Sequence, residues 1–194
     1  ARLCAAVLYI EQPVRRAHAL ETSMAALARA RPVIIDESDG ALDAFVTAKG
    51  LGYTGVSSKS CKGVWRSLLN RARCEAWNAA DAETDYFMSG EDLTTMVGVC
   101  VQQDLALVAL LGLTHVERNG HHFIDGFSGR PKAEAVRFLE AHPTLYADTP
   151  RGPRLAIRAG VLELASLDVP GLGATEEPDY RAMAPMPKAA WPRT

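Results

Sequence analysis

The sequence predicts an α/β fold in which strands and helices alternate along the chain. Short apolar runs, typical of buried parallel strands, recur through the first three quarters of the chain, and apolar residues at helical spacing follow each run. Five such units occupy about 145 residues, which agrees with roughly 30 residues for each strand–helix unit. This alternation implies a parallel sheet with right-handed crossovers, as in a TIM-type (β/α) barrel.

The first three units have clear local signals. A strand over residues 2–10 precedes a helix near residues 15–30, which Pro32 ends. The second unit joins a β-branched strand over residues 33–35 to a helix over residues 41–49. The third joins a strand over residues 52–58 to a helix over residues 63–78. One face of that helix is marked by Trp65, Leu68, Leu69, Ala72 and Ala76.

The last two units are followed by a different pattern. Residues 86–88 predict the fourth strand, and the helix after it covers residues 94–111, with a deeply packed second half. Residues 115–118 predict the fifth strand, and Pro131 suits the first position of a final helix that ends near Ala141. We therefore predict a barrel portion over residues 1–150 and a return segment over residues 151–194. In the second part, residues 154–167 indicate short strands, and a proline-rich extended tail closes the chain.

Composition limits the classes of partner. The formal net charge of −2 gives no reason to expect nucleic acid or an anionic membrane surface. The longest apolar stretch, residues 105–113, is shorter than the roughly 20 residues of a membrane-spanning helix. The four cysteines are far apart, which favours a reducing compartment, and we expect a cytoplasmic protein that forms a homo-oligomer.

Ionisable side chains end the first three strands. Glu11 ends the first, Asp36 follows the second and Lys59 follows the third. Because the carboxyl ends of parallel barrel strands share one face, these side chains should lie close together. Two carboxylates suit Mg²⁺, and a lysine near a bound cation has a lowered pKa that lets it act as a base. This set suits removal of the proton alpha to a carboxylate, with the metal stabilising an enediolate.

The ordered motifs resemble the C-terminal half of an enolase-superfamily protein of the mandelate racemase/muconate lactonizing enzyme type. The motifs are a Glu-x-Pro run at Glu11, an Asp-Glu-Ser run at Asp36 and a Lys-x-x-Lys-Gly run at Lys59. Pro170-Gly171-Leu172-Gly173 also resembles the closing segment of that family. The resemblance implies that the chain holds about barrel strands four to eight, that Glu11 and Asp36 bind Mg²⁺, and that Lys59 is the general base.

The resemblance also implies parts that this sequence lacks. Family members have an N-terminal capping domain and three earlier strands, which supply a third metal ligand and a second lysine. We therefore expect those parts in the same protein or in a partner chain. The residues at the end of the fourth strand include no histidine, which argues for the lysine branch of the family and against its histidine dehydratases.

Further residues extend the predicted site. Glu91 ends the fourth strand and is a catalytic candidate, although an acidic start to the next helix explains it equally well. Lys62, Glu117 and Asn119 are candidate contacts for a small carboxylate substrate, and Lys62 is equally well explained as a surface residue. The predicted outcome is racemisation, epimerisation or cycloisomerisation. The alternatives are a sugar-acid or hydroxy-acid dehydratase of the same superfamily and a non-catalytic half-barrel that needs a partner chain.

Overall fold

A computed structural model describes residues 5–91, 97–117 and 124–183. Within these residues a five-stranded parallel sheet has its strands in chain order, each paired with the next. The strands are β1 (Ile10–Glu11), β2 (Val33–Ile35), β3 (Gly55–Ser58), β4 (Phe87–Glu91) and β5 (Val116–Glu117). The prediction of a parallel α/β architecture is confirmed.

Helices connect and follow these strands. The α-helices are α1 (Ala25–Ala28), α2 (Ala44–Gly50), α3 (Val64–Ala80), α4 (Val99–Leu110) and α5 (Lys132–Ala141). A short antiparallel hairpin pairs β6 (Tyr146–Ala147) with β7 (Arg154–Leu155). Among the helices of residues 5–91, 97–117 and 124–183, none has the length and apolar character that crossing a membrane requires.

The sheet curls into a half-barrel. Tyr9, just before β1, shares a hydrogen bond of 3.0 Å with Ser89 on β4, although β2 and β3 lie between those strands. The Tyr9 ring also contacts the ring of His115, just before β5, at a centroid distance of 5.6 Å. A flat sheet would separate these side chains by several strand spacings of nearly 5 Å each. The contacts therefore require a concave face on which the first and last strands approach each other.

Among the residues that the structure describes, two apolar clusters form the core. One lies on the convex side of the sheet, where Val33, Ile35, Val56 and Met88 pack against the helices, with Phe45 among their partners. The other joins α4 and α5 to the hairpin, with Val101, Phe138 and Leu145 among its fully buried members. The second half of α4 is packed as predicted, except that Ala109 and Leu110 are exposed.

The first unit is shorter than the sequence predicts. The strand predicted over residues 2–10 is limited to Ile10–Glu11 within the described residues, and the helix predicted near residues 15–30 is only a 3₁₀ turn and the short α1. The backbone N–H of Met24 donates to the carbonyl of Leu51 at 2.6 Å, so it does not continue a helix from residue 20. This tertiary hydrogen bond explains why apolar spacing overestimated the helix.

The buried face of α3 also differs from the prediction. Trp65 is 83% exposed, whereas Ser67, Asn70 and Cys74 are buried. The hydroxyl of Ser67 lies 2.9 Å from that of Ser58 at the end of β3, and the Asn70 amide donates to Asp39 at 3.4 Å. The helix is therefore rotated so that polar side chains face the loops that follow β2 and β3.

The C-terminal part of the described chain is attached to α5 and α4. The predicted short strands over residues 154–167 are limited to β7 and one antiparallel bridge between Arg158 and Val161. The partner of β7, strand β6, lies before residue 150, so the hairpin connects the two predicted parts. Residues 165–167 form a 3₁₀ helix instead. The buried Arg130 and Glu134 pair at 2.7 Å, and the Asp179 backbone N–H donates to Glu134 at 2.7 Å.

Candidate functional site

The ionisable residues predicted from the strand ends meet at the rim of the half-barrel. Glu11 ends β1, Asp36 follows β2, Lys59 follows β3, and Glu91 and Glu117 end β4 and β5. The register of the parallel pairs places Glu91 opposite Glu117, and it offsets Glu11, opposite Ile34, by two residues from Asp36. Side chains alternate between the two faces of a strand, so these residues share the concave face with Tyr9, Ser57, Ser89 and His115.

Lys59 links the two neighbouring strands. Its Nζ lies 2.8 Å from Asp36 Oδ2 and 2.5 Å from Glu91 Oε2, and its side chain is only 7% exposed. The buried ammonium group of Lys59 thus forms an ion pair with a carboxylate on each side. Lys59 therefore connects the end of β2 to the end of β4 across β3.

Asp36 has several partners in the site. Besides Lys59, its carboxylate accepts a hydrogen bond from the Ser57 hydroxyl and lies 3.0 Å from Lys62 Nζ. Lys62 also donates to the Asp36 carbonyl at 2.9 Å and to the Ser57 hydroxyl at 2.7 Å. The ammonium of Lys62 is thus directed at protein acceptors, and its contact with substrate stays a prediction.

Glu11 lies in two groups of carboxylates. Ligand atoms of Glu11, Asp36 and Glu37 lie within 4.8 Å of one another, and so do those of Glu11, Glu91 and Glu117. Glu11 therefore joins the two acidic groups, and the rim carries more carboxylates than ammonium groups.

This charge distribution perturbs the pKa of each carboxyl group differently. Burial, together with the hydrogen bond and negative charge of Asp36, raises the pKa of Glu11 to about 8. Burial alone would raise the pKa of Asp36, but the hydrogen bonds from Lys59 and Ser57 outweigh burial and lower it. Burial also raises the pKa of Glu91, in spite of the opposing effect of Lys59. At neutral pH Glu11 is therefore largely protonated, whereas Asp36, held by the two lysines, stays ionised.

Lys59 is a charged group in this arrangement. Burial on its own would lower the pKa of Lys59, but Asp36 and Glu91 raise it above the ordinary value. This direction is opposite to the lowered pKa that a lysine beside a bound cation would have. In the described structure Lys59 thus holds a proton that it can donate.

A layer of polar side chains lies directly below the rim. The Ser89 hydroxyl lies 3.0 Å from the Tyr9 hydroxyl and 2.8 Å from His115 Nδ1. Burial raises the pKa of Tyr9, so its hydroxyl keeps the proton at neutral pH. These three residues form a connected hydrogen-bond chain on the concave face.

The helices on the convex side support the loops that carry the two lysines. Asp104 on α4 is buried, and its carboxylate accepts the backbone N–H of Ser60 at 3.0 Å. Arg66 donates to the backbone carbonyls of Asp39 and Gly40 in the loop after β2. Rigid elements therefore hold both sides of the Asp36–Lys59 pair.

The chain matches no family model, and no curated protein and no solved structure shows a significant match to it. The resemblance described above therefore depends on the motifs alone.

The structure brings most of the predicted site residues together. Those at the rim are Glu11, Asp36, Lys59, Lys62, Glu91 and Glu117. Asn119 lies outside the described residues. The assignment of the six rim residues as metal ligands, general base or substrate contacts stays a prediction.

Sequence reasoning missed several members of the site. Ser57 lies two residues before Lys59, and Tyr9 lies two residues before Glu11, so the alternation of a strand could have found both. Ser89 precedes Glu91 by the same spacing. Gln12, whose amide contacts the loop after β2, had no such signal, because its role depends on how two loops meet.

Proposed function

We propose that this half-barrel removes the proton alpha to a carboxylate with the help of Mg²⁺, by way of an enediolate. The outcome is racemisation, epimerisation or cycloisomerisation of a small carboxylate substrate, in a longer protein or with a complementing chain. The observation that carries the proposal is Lys59, buried between Asp36 and Glu91 at the carboxyl ends of parallel strands and beside the carboxylate of Glu11. Active sites of closed (β/α) barrels lie at this end of the strands.

The acidic group around Glu11 suits a hard cation. Glu11 and Asp36 would hold Mg²⁺, with Glu37 within reach of both, because carboxylate oxygens are the ligands that this ion prefers. Both oxygens of Asp36 already contact Lys59, Lys62 or Ser57, but a carboxylate offers about four lone-pair positions. When bound, Mg²⁺ would withdraw charge from the substrate carboxylate and so acidify the alpha carbon. Burial, and after it the neighbouring carboxylates, raise the pKa of Glu11, and a bound cation would lower it again.

Lys59 and Glu91 would carry the proton. Lys59 is protonated in the described arrangement, so it is ready to donate a proton to the alpha carbon. It becomes a base once its contacts with Asp36 and Glu91 weaken, because those two carboxylates maintain its charge. Glu91, 2.5 Å from Lys59, is placed to exchange a proton with it. Lys59 would remove and return the proton on one face of the substrate, and racemisation would also need the second acid–base group on the opposite face, which the rest of the barrel would supply.

The test combines metal binding with proton exchange. Racemic 2-substituted carboxylates, including N-acyl amino acids and dipeptides, are incubated with the intact protein and Mg²⁺ in D₂O, and loss of the alpha proton is followed by NMR. We expect Mg²⁺-dependent exchange that falls by about 10²- to 10⁴-fold in Lys59→Met, the usual contribution of a general acid or base. Lys49→Met is the matched control, because Lys49 lies over the rings of Trp77 and Tyr86 and away from the rim. Equal exchange rates in the two variants would refute the assignment of Lys59.

A non-catalytic half-barrel is the second candidate. Strands β1 and β5 each have one strand neighbour in the described sheet, so both present an open edge. Leu110, Ile157 and Val161 are also exposed, and a partner chain could cover them together with the open edges. A half-barrel that only completes a partner chain would bind Mg²⁺ poorly, and Asp36→Asn would change its stability alone. Calorimetric titration with Mg²⁺ distinguishes the two candidates, since the enzyme should bind in the micromolar to millimolar range.

A further inference from the structure

Gln12 has a backbone conformation that its local sequence does not favour. Its φ of 26° lies in the left-handed region, which non-glycine residues rarely adopt. Pro13 follows it, and a residue before proline normally takes an extended conformation. A strained conformation of this kind persists only when surrounding contacts hold it, and such conformations are common at functional sites.

The side chain of Gln12 crosses to the loop that follows β2. Its Oε1 accepts the backbone N–H of Ser38 at 2.9 Å and that of Asp36 at 3.2 Å. Its Nε2 donates to Glu37 Oε2 at 2.8 Å. The backbone N–H of Gln12 adds a bond of 2.9 Å to the carbonyl of Ile34. One residue thus makes four hydrogen bonds to a segment more than 20 positions away in sequence.

We infer that Gln12 is a positioning residue that sets the distance between Glu11 and the carboxylates of Asp36 and Glu37. Gln12 is joined to Glu11 by the peptide bond, and its side-chain amide is hydrogen-bonded to the backbone of Asp36. It therefore fixes Glu11 and Asp36 relative to each other. The inference rests on the proposed function, in which Glu11 and Asp36 hold a cation.

The amide is the chemical group that this position requires. It accepts from two backbone N–H groups with its oxygen and donates to the Glu37 carboxylate with its nitrogen. A glutamate at this position would lack the donor and repel Glu37, and a lysine would lack the acceptor. The contacts therefore select glutamine rather than any polar residue of the same length.

The first experiment measures amide hydrogen exchange in the metal-free intact protein. We expect Gln12→Ala to accelerate exchange at Ser38 and Asp36 by about threefold to tenfold, since each amide loses its acceptor. The Ala156 amide, which donates to the Leu145 carbonyl at 2.8 Å, is the internal reference and should not change. Thr22→Ala is a matched control, because it removes a side-chain bond to the His18 carbonyl in the same segment without touching Gln12.

The second experiment measures Mg²⁺ affinity by calorimetric titration at a temperature where every variant is folded. We expect Gln12→Ala to weaken binding by about 10- to 100-fold, the usual effect of losing a residue that orients metal ligands. Gln12→Gly removes the side chain but permits the backbone conformation, so it should lose the same affinity as Gln12→Ala. Thr22→Ala should bind as the unaltered protein does.

The two readouts separate the inference from the function on which it rests. If the unaltered protein binds no Mg²⁺, the proposed function fails, and the exchange rates at Ser38 and Asp36 still decide whether Gln12 fixes the loop. Unchanged exchange in Gln12→Ala overturns the inference. So does normal Mg²⁺ affinity in Gln12→Gly alone, because the backbone rather than the amide would then be responsible.

Discussion

Replacing Asp36 by asparagine removes the negative charge at the centre of the rim while nearly preserving side-chain volume. Asp36 is 1% exposed and contacts two ammonium groups, of which Lys59 is 7% exposed and Lys62 10%. Asparagine can still accept a hydrogen bond, but it cannot neutralise either lysine. The substitution therefore tests how strongly the folded state depends on this charge.

The structure sets the size of the effect. Removing one partner of a buried ion pair costs about 3–5 kcal/mol, because an uncompensated charge remains. Lys59 keeps Glu91 at 2.5 Å, and Lys62 keeps the Ser57 oxygens and Asp39 at 3.8 Å. These remaining partners place the expected loss at the lower end, about 3 kcal/mol of unfolding free energy. For a domain of this size the loss corresponds to a decrease of about 6–12 °C in Tm.

Urea denaturation followed by tryptophan fluorescence measures this loss. Asp43→Asn is the matched control, since Asp43 is exposed and makes no side-chain capping bond, so its change should stay within about 0.5 kcal/mol. The double variant Asp36→Asn/Lys62→Met should lose less than the two single losses combined, because the second change removes an unpaired charge. A loss below about 1 kcal/mol for Asp36→Asn would refute the view that this pair holds the rim together.

The same pair predicts a dependence on pH. The pKa of Asp36 is lower in the folded state than its ordinary value of 3.8. Its contribution is therefore fully present above about pH 4 and is lost as the pH falls through the folded-state pKa. The stability difference between the unaltered protein and Asp36→Asn should shrink from pH 5 towards pH 2.

The remaining predictions concern Glu11 and the attachment of the C-terminal segment. The pKa of Glu11 is raised from 4.5 to about 8, so the folded state holds this proton more tightly than the unfolded state does. The stabilisation that results is present below pH 4.5 and is lost as the pH rises towards 8. Between pH 5 and pH 8 the free energy of unfolding of Glu11→Gln, measured by urea denaturation, should therefore rise by about 1–2 kcal/mol relative to the unaltered protein. This value allows for solvent screening, because the Glu11 side chain is only half-buried. Equal denaturation midpoints of the two proteins at pH 8 would contradict the prediction. Arg130→Met should cost about 3 kcal/mol, because the buried Glu134 would lose its ion-pair partner and keep the Asp179 N–H and the weaker influence of the Arg137 charge. Faster chymotrypsin cleavage at Tyr180 would report the loosened segment, and unchanged cleavage with unchanged stability would oppose the prediction.

The sequence predicted the strand order and the rim residues for a simple physical reason. Buried parallel strands need continuous apolar runs, and the side chain that ends each run must lie at the same edge of the sheet. Glu11, Asp36, Lys59, Glu91 and Glu117 could therefore be placed together without coordinates. The position of helix α3 could also be predicted, because the length of a helix and the spacing of its apolar residues are local properties of the sequence.

Local pattern was insufficient where distant segments compete for the same groups. The Met24 N–H bonds to Leu51 and shortens the first helix, and Ser67 turns α3 towards the end of β3 while Trp65 remains exposed. The hairpin of β6 and β7 likewise depends on a pairing across a seven-residue separation that apolar spacing does not reveal.

What the sequence by itself determined is the kind of groups at each strand end and the face that they share. Only the tertiary structure decided which of them pair. Lys59 lies between Asp36 and Glu91, Lys62 turns inward to Asp36, and Glu11 remains among carboxylates. The reason is that charge state depends on distances of a few ångströms in a buried site, and those distances depend on the curl of the sheet and on contacts such as those of Gln12.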